Sequence, residues 1–310
     1  MSEPRVYVAG ALFLDVVMCG LAHAPRPGEE QWVSGTGVMP GGIANQAVAC
    51  SRLGLAPSLL TYIGTDRVGR WVREMLEEDE IDLSLARTTE RQNITCSLVF
   101  DGDRSLTTCG RDDAPLPSGS ELIPDVVMAS LGYLRTAAEH IRRWRAGGAI
   151  VIADTGWDPT GAWDVADLEV LADADVFVPN CAEAEHYTRT LGPDRAAAKL
   201  LDYVDTAVVT CGAAGIQLAR RGEVVAMPAL EVDPVDTTGA GDAFSAGLAA
   251  GLARGVDIDL AVELGQAAAG WTVSHIGGSA SSPHAEELLE WSRGTRLEES
   301  VRAILGAPGR

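Results

Sequence analysis

The sequence predicts an α/β fold with a mostly parallel central sheet flanked by helices. Three observations point there. Four short apolar runs, at residues 126–128, 149–153, 175–178 and 206–209, are continuous rather than alternating, as in strands buried on both faces. Segments of helical character separate them, the alternation that a parallel sheet requires. Acids, amides and glycines stand just after several of the predicted strands, where ligands bind in open α/β sheets.

Taken in order, residues 5–14 predict a first strand centred on Val6-Tyr7-Val8-Ala9, with Gly10 and then Asp15 behind it. Residues 25–42 have a different texture: Pro, Gly and Ser interrupt a short alternating piece at residues 30–34, which predicts short strands. Gly41-Gly42 opens a helix over residues 43–53, stopped by Gly54. A strand at 58–63 leads through Gly64-Thr65-Asp66 into a helix over 68–78, with Val68, Trp71, Val72, Met75 and Leu76 on one face. Residues 93–109 read as a hairpin, two β-rich pieces about Asp101-Gly102-Asp103-Arg104. A second hairpin, at 215–226, turns at Arg221-Gly222. Two alanine-rich helices follow, at 244–252 and 260–273, and the second ends in a Gly/Ser loop over 275–281. With no internal repeat and no linker, the 310 residues read as one domain, 1–310. The strands expected within 25–42 and 93–109 form a small appended lid.

Composition narrows the function. Apolar residues make up 46% of the chain, enough for a substantial core. The net charge is −20 and Lys199 is the only lysine, so a nucleic-acid partner is not expected. No uninterrupted apolar run is long enough to span a membrane. The N-terminal residues are polar, and the six cysteines are scattered without a C-x-x-C pair. They read as reduced thiols, and the expectation is a cytoplasmic enzyme.

The chemistry concentrates in Asp236-Thr237-Thr238-Gly239-Ala240-Gly241-Asp242-Ala243-Phe244. Two acids bracket a small-residue turn that runs into an apolar helix. Free N–H groups and the helix dipole favour an anion at such a turn. Gly239 and Gly241 allow the main chain to approach it closely. Asp242 is out of place beside a phosphate unless it removes a proton from an attacking hydroxyl. The plainer alternative is that Asp242 caps the helix. Singly, Asp15, Asn180 and the Thr210-Cys211-Gly212 segment also read as ordinary turn residues; together with the glycine turn they point to one shared site.

Several nucleotide folds are excluded. Lys199 lies between Ala198 and Leu200, so there is no P-loop, and neither a G-x-G-x-x-G nor a His-Arg-Asp loop occurs. Instead, residues 236–249 resemble the C-terminal signature of the ribokinase-like sugar kinases, the PfkB family. Gly41-Gly42, Asn45, Ala47, Gly54 and Gly64 resemble its N-terminal signature, and Asn180-Cys181-Ala182-Glu183 resembles its Asn-x-x-Glu motif. Ile43 departs, standing where a small residue is usual. The likeness runs in order from about residue 6 to 281.

The resemblance implies a ribokinase-like three-layer fold with a small β-sheet lid, and an ATP-dependent kinase acting on a hydroxymethyl group. Asp242 is then the general base, and Gly239, Ala240 and Gly241 form the anion hole. Asn180 and Glu183 organise Mg2+–ATP, Glu183 through water. Thr210 and Gly212 line the nucleotide, with Gln266 near the adenine. Asp15, Gly42 and Asn45 hold the acceptor. Asp236, Thr238, Gly277 and Ser281 match a monovalent-cation site, for K+. Asp15 and Asn45 have the acceptor and donor groups suited to a polyol. The edges of the lid offer a route to a homodimer.

The acceptor is a small sugar or a nucleoside. The apolar Leu14 beside Asp15 weighs against ribose in particular. Arg104 and Arg111 read as solvated, with contact to an anionic acceptor as the alternative. The alternatives in function are a nucleoside kinase and a nucleotide- or sugar-binding regulator without turnover, against which the intact Asp242 and glycine turn argue.

Overall fold

The computed structural model describes residues 3–100, 103–156, 158, 160–275 and 277–306. Strand β1 (Arg5–Ala9) lies in the central sheet, and the chain then leaves it. Strands β2 (Leu12–Cys19) and β3 (Gly35–Gly42) belong to a second, smaller sheet, from which helix α1 (Ile43–Arg52) follows directly. Strand β4 (Ala56–Leu60) pairs with β1; β5 (Tyr62–Gly64) turns off it and, beyond helix α2 (Arg67–Glu78), pairs with β6 (Arg87–Thr89). Strands β7 (Asn93–Phe100) and β8 (Asp103–Cys109) complete the smaller sheet, in the order β3-β2-β7-β8.

The second half supplies the rest of the centre. Strand β9 (Val126–Ser130) is followed by α3 (Leu131–Thr136), α4 (Ala138–Ala146), β10 (Ile150–Asp154), β11 (Val176–Phe177), α5 (Cys181–Thr188), α6 (Pro193–Leu200) and β12 (Thr206–Thr210). The four continuous apolar runs are thus β9 to β12. They pair in parallel with one another and, through β9, with β1. Strands β13 (Ile216–Arg220) and β14 (Glu223–Met227) add an antiparallel edge. Their turn places Arg221 and Gly222 at φ 52° and 81°, the positive values of a tight hairpin. Helices α7 (Ala240–Ala253), α8 (Ile258–Val273), α9 (Ala285–Trp291) and α10 (Glu298–Leu305) close the chain.

Alternation along β1 divides the interior into two cores. Val6 and Val8 join residues of α1, α7 and α8, including Val48, Phe244 and Leu264. Tyr7 and Ala9 join residues of α3 to α6, including Leu134, Trp144 and Leu200. The result is three layers, helices on both faces of one mostly parallel sheet. Small residues set the spacing of α7 and α8: a Cβ on Gly247 or on Gly265 would stand 2.8 Å from the opposite helix. This contact fixes the N-terminal end of α7, and with it Asp242.

Four expectations need correction. Residues 5–14 do not form one strand. The chain breaks after Ala9, where Thr61 Oγ1 donates to the Gly10 carbonyl at 2.8 Å, and residues 12–19 become a strand of the lid. The textures differ accordingly: β1 is buried along most of its length, whereas β2 is only half-buried. Residues 30–34 carry no strand, which begins at Gly35, and Trp32 is 90% exposed. The 58–63 strand divides at Thr61. In α2, Trp71 is 48% exposed and lies off the buried stripe of Val72 and Leu76. At the tip of the β7–β8 hairpin, Asp101 and Gly102 lie outside the described residues.

Candidate active site

The site forms where the lid meets the ends of β10 to β12 and the N-terminus of α7. Helix α7 starts at Ala240, four residues earlier than its apolar pattern suggests, with Gly239 as N-cap at φ 77° and no side-chain cap. Asp242 therefore lies inside the first turn. The capping alternative does not hold for it. Ala240 spends its N–H on the Thr237 carbonyl at 3.3 Å, whereas the N–H groups of Gly241 and Asp242 find no protein acceptor among the described residues. A Cβ on Gly241 would meet no protein atom within 4 Å, so the space over these donors is open. Open N–H donors at a helix N-terminus are an arrangement that can accept an anion.

Asp242 is surrounded from α1. The side chains of Asn45 and Gln46, in the first turns of α1, both lie near its carboxylate and favour its ionised form. Burial pushes Asp242 up to about 6, against the effect of these two amides and of the Arg104 charge, while Asp15 pushes it further up. Gln46 also donates from Nε2 to Asp154 Oδ2 at 3.0 Å and so joins two carboxylates. Asp154, the last residue of β10, accepts from the Thr155 N–H at 2.7 Å. Burial, then the charges of Asp242 and Glu183, push it up to about 7.

Asp15 comes from the lid, on β2, rather than from the end of a core strand. Its carboxylate packs directly on Gly41, where a Cβ would fall 1.9 Å from Oδ2. Gly42 holds φ 63°, and a Cβ there would stand 2.3 Å from the Ala11 carbonyl oxygen. The glycine pair is thus required by the contact of β2 with β3. Burial raises Asp15 to about 6, offset by Arg104 and a hydrogen bond with Thr95. Leu14 is buried in the main core, and alternation along β2 turns it away from Asp15's face.

Asp236 organises the neighbouring turn. Its carboxylate accepts from the N–H of Thr238 at 2.9 Å and of Gly277 at 3.1 Å. Arg52 of α1 fixes the same loop, donating to the carbonyls of Ala280 and Ser282 at 3.1 and 2.8 Å, and Ser281 is buried between them in sequence. The expected cation-site residues Asp236, Thr238 and Gly277 are thus brought together.

Asn180 and Glu183 make a reciprocal capping box at the start of α5, with bonds of 2.9 and 2.8 Å. The plainer reading of this motif, an amide ending a strand and an acid starting a helix, is therefore realised in full. One Glu183 oxygen and the Asn180 amide nitrogen remain outside that box. Thr210, at the end of β12, bridges Asn180 and donates from its N–H to the Pro179 carbonyl at 3.0 Å. Gly212 follows at φ 53° with open space over it. Gln266 stands apart: it is buried, donates to the Pro228 carbonyl at 2.9 Å and accepts from Arg296 at 3.0 Å.

Three residues join the site that the sequence reading did not place there. Asp154 carried the same signal as Asp15 and Asn180, a polar residue behind an apolar run. Gln46 carried none, being one amide in a helix. Arg104 reads as solvated from its hairpin position; it is exposed on the lid, yet donates to Thr238 Oγ1 at 2.9 Å. Arg111 lies over the Tyr62 ring at 3.7 Å and pairs with Asp113, away from these groups.

Comparison with known proteins agrees with this geometry. Residues 4–285 match the pfkB family of carbohydrate kinases. The chain is 27% identical to the ribokinase of Haemophilus influenzae over 92% of this chain and 97% of that one. It is 33% identical to a fructokinase of Klebsiella pneumoniae over 72% and 80%. Among solved structures, the ribokinase of Arabidopsis thaliana complexed with ribose and ATP superposes with a TM-score of 0.79 at 22% identity, covering 99% of this chain and all of that one. The chain belongs to the pfkB family of carbohydrate kinases.

Proposed function

We propose that this pfkB-family carbohydrate kinase transfers the γ-phosphoryl group of ATP to a hydroxymethyl group of a sugar or sugar-like acceptor, with Asp242 as general base. One observation carries the reading. A single carboxylate stands in the first turn of a helix with open N–H donors, beside Asn45 and within the field of Asp15 and Arg104. A base and an anion hole at one helix end are what in-line phosphoryl transfer needs.

Asp15, Gly42 and Asn45 hold and orient the acceptor hydroxyls. Asp242 accepts the proton of the attacking hydroxyl. Gly239, Ala240 and Gly241 shape the turn that receives the transferring group, with the N–H groups of Gly241 and Asp242 as its open donors. The nucleotide lies along the ends of β11 and β12, against Asn180, Glu183, Thr210 and Gly212. The amide of Gln266 is already engaged, so its part at the adenine is to hold the wall formed by Pro228 and Arg296. The lid excludes water, which suppresses ATP hydrolysis.

Asp154 and Glu183 raise the case for Mg2+: two acids close enough for one to push up the other are eased by a divalent cation. Bound with ATP, the metal would neutralise phosphate charge there. The Asp236, Thr238, Gly277 and Ser281 group, rich in oxygen atoms with spare lone pairs, suits K+. No helix among the described residues is long and apolar enough to cross a membrane. We assign the kinase to the cytoplasm and take residues 1–310 as one domain.

The test is a coupled ATP assay across aldoses, ketoses and nucleosides, alongside thermal shift with a non-hydrolysable ATP analogue. Turnover confined to sugars is expected. Turnover on nucleosides alone would make the protein a nucleoside kinase, and tight binding without turnover would make it a regulator.

A further inference from the structure

Two thiols outside this mechanism meet at the same end of the sheet. Cys181 is the first residue of α5, between Asn180 and Glu183 in the motif, and Cys211 stands between Thr210 and Gly212. Both are free and half-buried, and Cys211 Sγ donates to Cys181 Sγ at 3.1 Å. The backbone holds them there: Asn180 bridges Thr210, and the Cys211 N–H donates to the Gly215 carbonyl at 2.8 Å. The other cysteines lack this arrangement. Cys96 and Cys109 are exposed on the lid but stand opposite Thr107 and Ile94, not each other, and Cys50 is buried in the core beside Met128.

We propose that Cys181 and Cys211 are a redox-active dithiol, oxidised by hydrogen peroxide to a disulfide that impairs nucleotide use. The sulfurs lie 3.1 Å apart and both are half-buried, so either can attack first and the product is the same; Cys181 serves for the first step. The Cys181 sulfur attacks one peroxide oxygen, the O–O bond breaks, and a sulfenic acid and one water form. The Cys211 sulfur then attacks the sulfenic sulfur, the S–O bond breaks, and a second water leaves with the thiol proton. Two thiols lose two electrons, and one peroxide becomes two waters. Closing the bond brings the sulfurs from 3.1 Å to about 2.05 Å, a movement of roughly 1 Å. That movement draws the Gly212 turn toward the start of α5. Misplacement of a substrate-positioning group by this much costs up to roughly a hundredfold in rate.

The effect on turnover rests on the nucleotide assignment above; the crosslink does not. The experiment treats the full chain with hydrogen peroxide, maps peptides without reduction, and measures kcat/KM for ATP before oxidation, after it, and after dithiothreitol. Expected are a 181–211 crosslink, a kcat/KM for ATP lowered about tenfold or more, and recovery on reduction, with Cys181→Ser and Cys211→Ser both active and unresponsive. Oxidation of Cys96 or Cys109 without a 181–211 crosslink would overturn the proposal. So would a crosslink that leaves kcat/KM unchanged in an enzyme shown to use ATP. If the chain has no ATP-dependent turnover at all, the crosslink map still decides whether the dithiol exists, and its loss in either serine variant confirms the partners.

Discussion

Arg104 Nη1 donates to Thr238 Oγ1 at 2.9 Å, so the lid hairpin is latched to the turn that precedes α7. The latch brings a fixed positive charge to a site with three raised carboxylates, and Arg104 lowers two of them, Asp15 and Asp242. Arg104→Gln removes that charge and the latch together. The expected result is a lower kcat/KM, with the acidic limb of the pH–rate profile shifted to higher pH because Asp242 loses a group that favours its ionised form. A pH profile of the variant checks this; an unmoved limb would mean that Arg104 does not act on the base.

Asp242→Asn keeps the size of the side chain and removes the base. General-base assistance contributes about a hundred- to ten-thousand-fold, and kcat is expected to fall by that order, with ATP affinity retained or slightly better. The variant also carries a stability signature. The folded carboxyl is raised from 3.8 to about 6, so the folded state binds the proton more tightly than the unfolded chain. The ionised group therefore destabilises the fold, fully above about pH 6 and not at all below about 3.8. Asn should melt no lower than the parent at pH 8, with any gain shrinking as pH falls through 6. Near-parental kcat in the folded variant would end the case for Asp242 as base.

The pH dependence of the parent follows from the same group. A base that titrates near 6 gives a kcat/KM that falls about tenfold per pH unit below that point and levels above it. Steady-state rates from pH 4.5 to 8 at constant ionic strength measure the limb. A midpoint near the ordinary carboxylate value would mean that Asp242 is not held in a desolvated site.

Asp236→Ala removes the carboxylate that gathers the N–H groups of Thr238 and Gly277. We expect activity to rise in potassium for the parent and to become insensitive to it in the variant. Rates in potassium and in a bulky organic cation, matched in ionic strength, give the comparison; equal parental rates would remove the cation site.

The lid should exchange its amides faster than β10 in the absence of acceptor, since β8 is exposed and β10 largely buried. Acceptor and nucleotide together should slow residues 93–100 and 103–109. The lid exposes Met18 and Val38, and we propose that pairing of its sheet edges makes a homodimer. Sedimentation tests it: a monomer at working concentration leaves the lid as a flap alone.

Much of the fold was legible because burial leaves its mark within a segment. Strands β9 to β12 read as unbroken apolar runs, and Gly54 follows the end of its helix as expected. Residues 5–14 read as one strand because two strands of different sheets abut at Gly10-Ala11, and an apolar stretch does not record which sheet it joins. The start of α7 differs from the sequence pattern for a related reason. Gly239, Ala240 and Gly241 have no large side chains to show a helical period, so the helix became visible only at Phe244.

By itself, the sequence determined the local devices: the glycine turn before an apolar helix, the Gly41-Gly42 pair, the Asn180 and Glu183 cap, and membership of a kinase family. Each depends on residues within a few positions of one another, where backbone sterics and periodicity act. Only the tertiary structure decided that Asp15 belongs to the lid, that Gln46 joins Asp154 to Asp242, and that Arg104 reaches Thr238. Those meetings span 108 residues for Gln46 and Asp154 and 134 for Arg104 and Thr238. They follow from the order of strands in the sheets and the packing of α1 on α7, neither of which a segment's own hydrophobic pattern encodes.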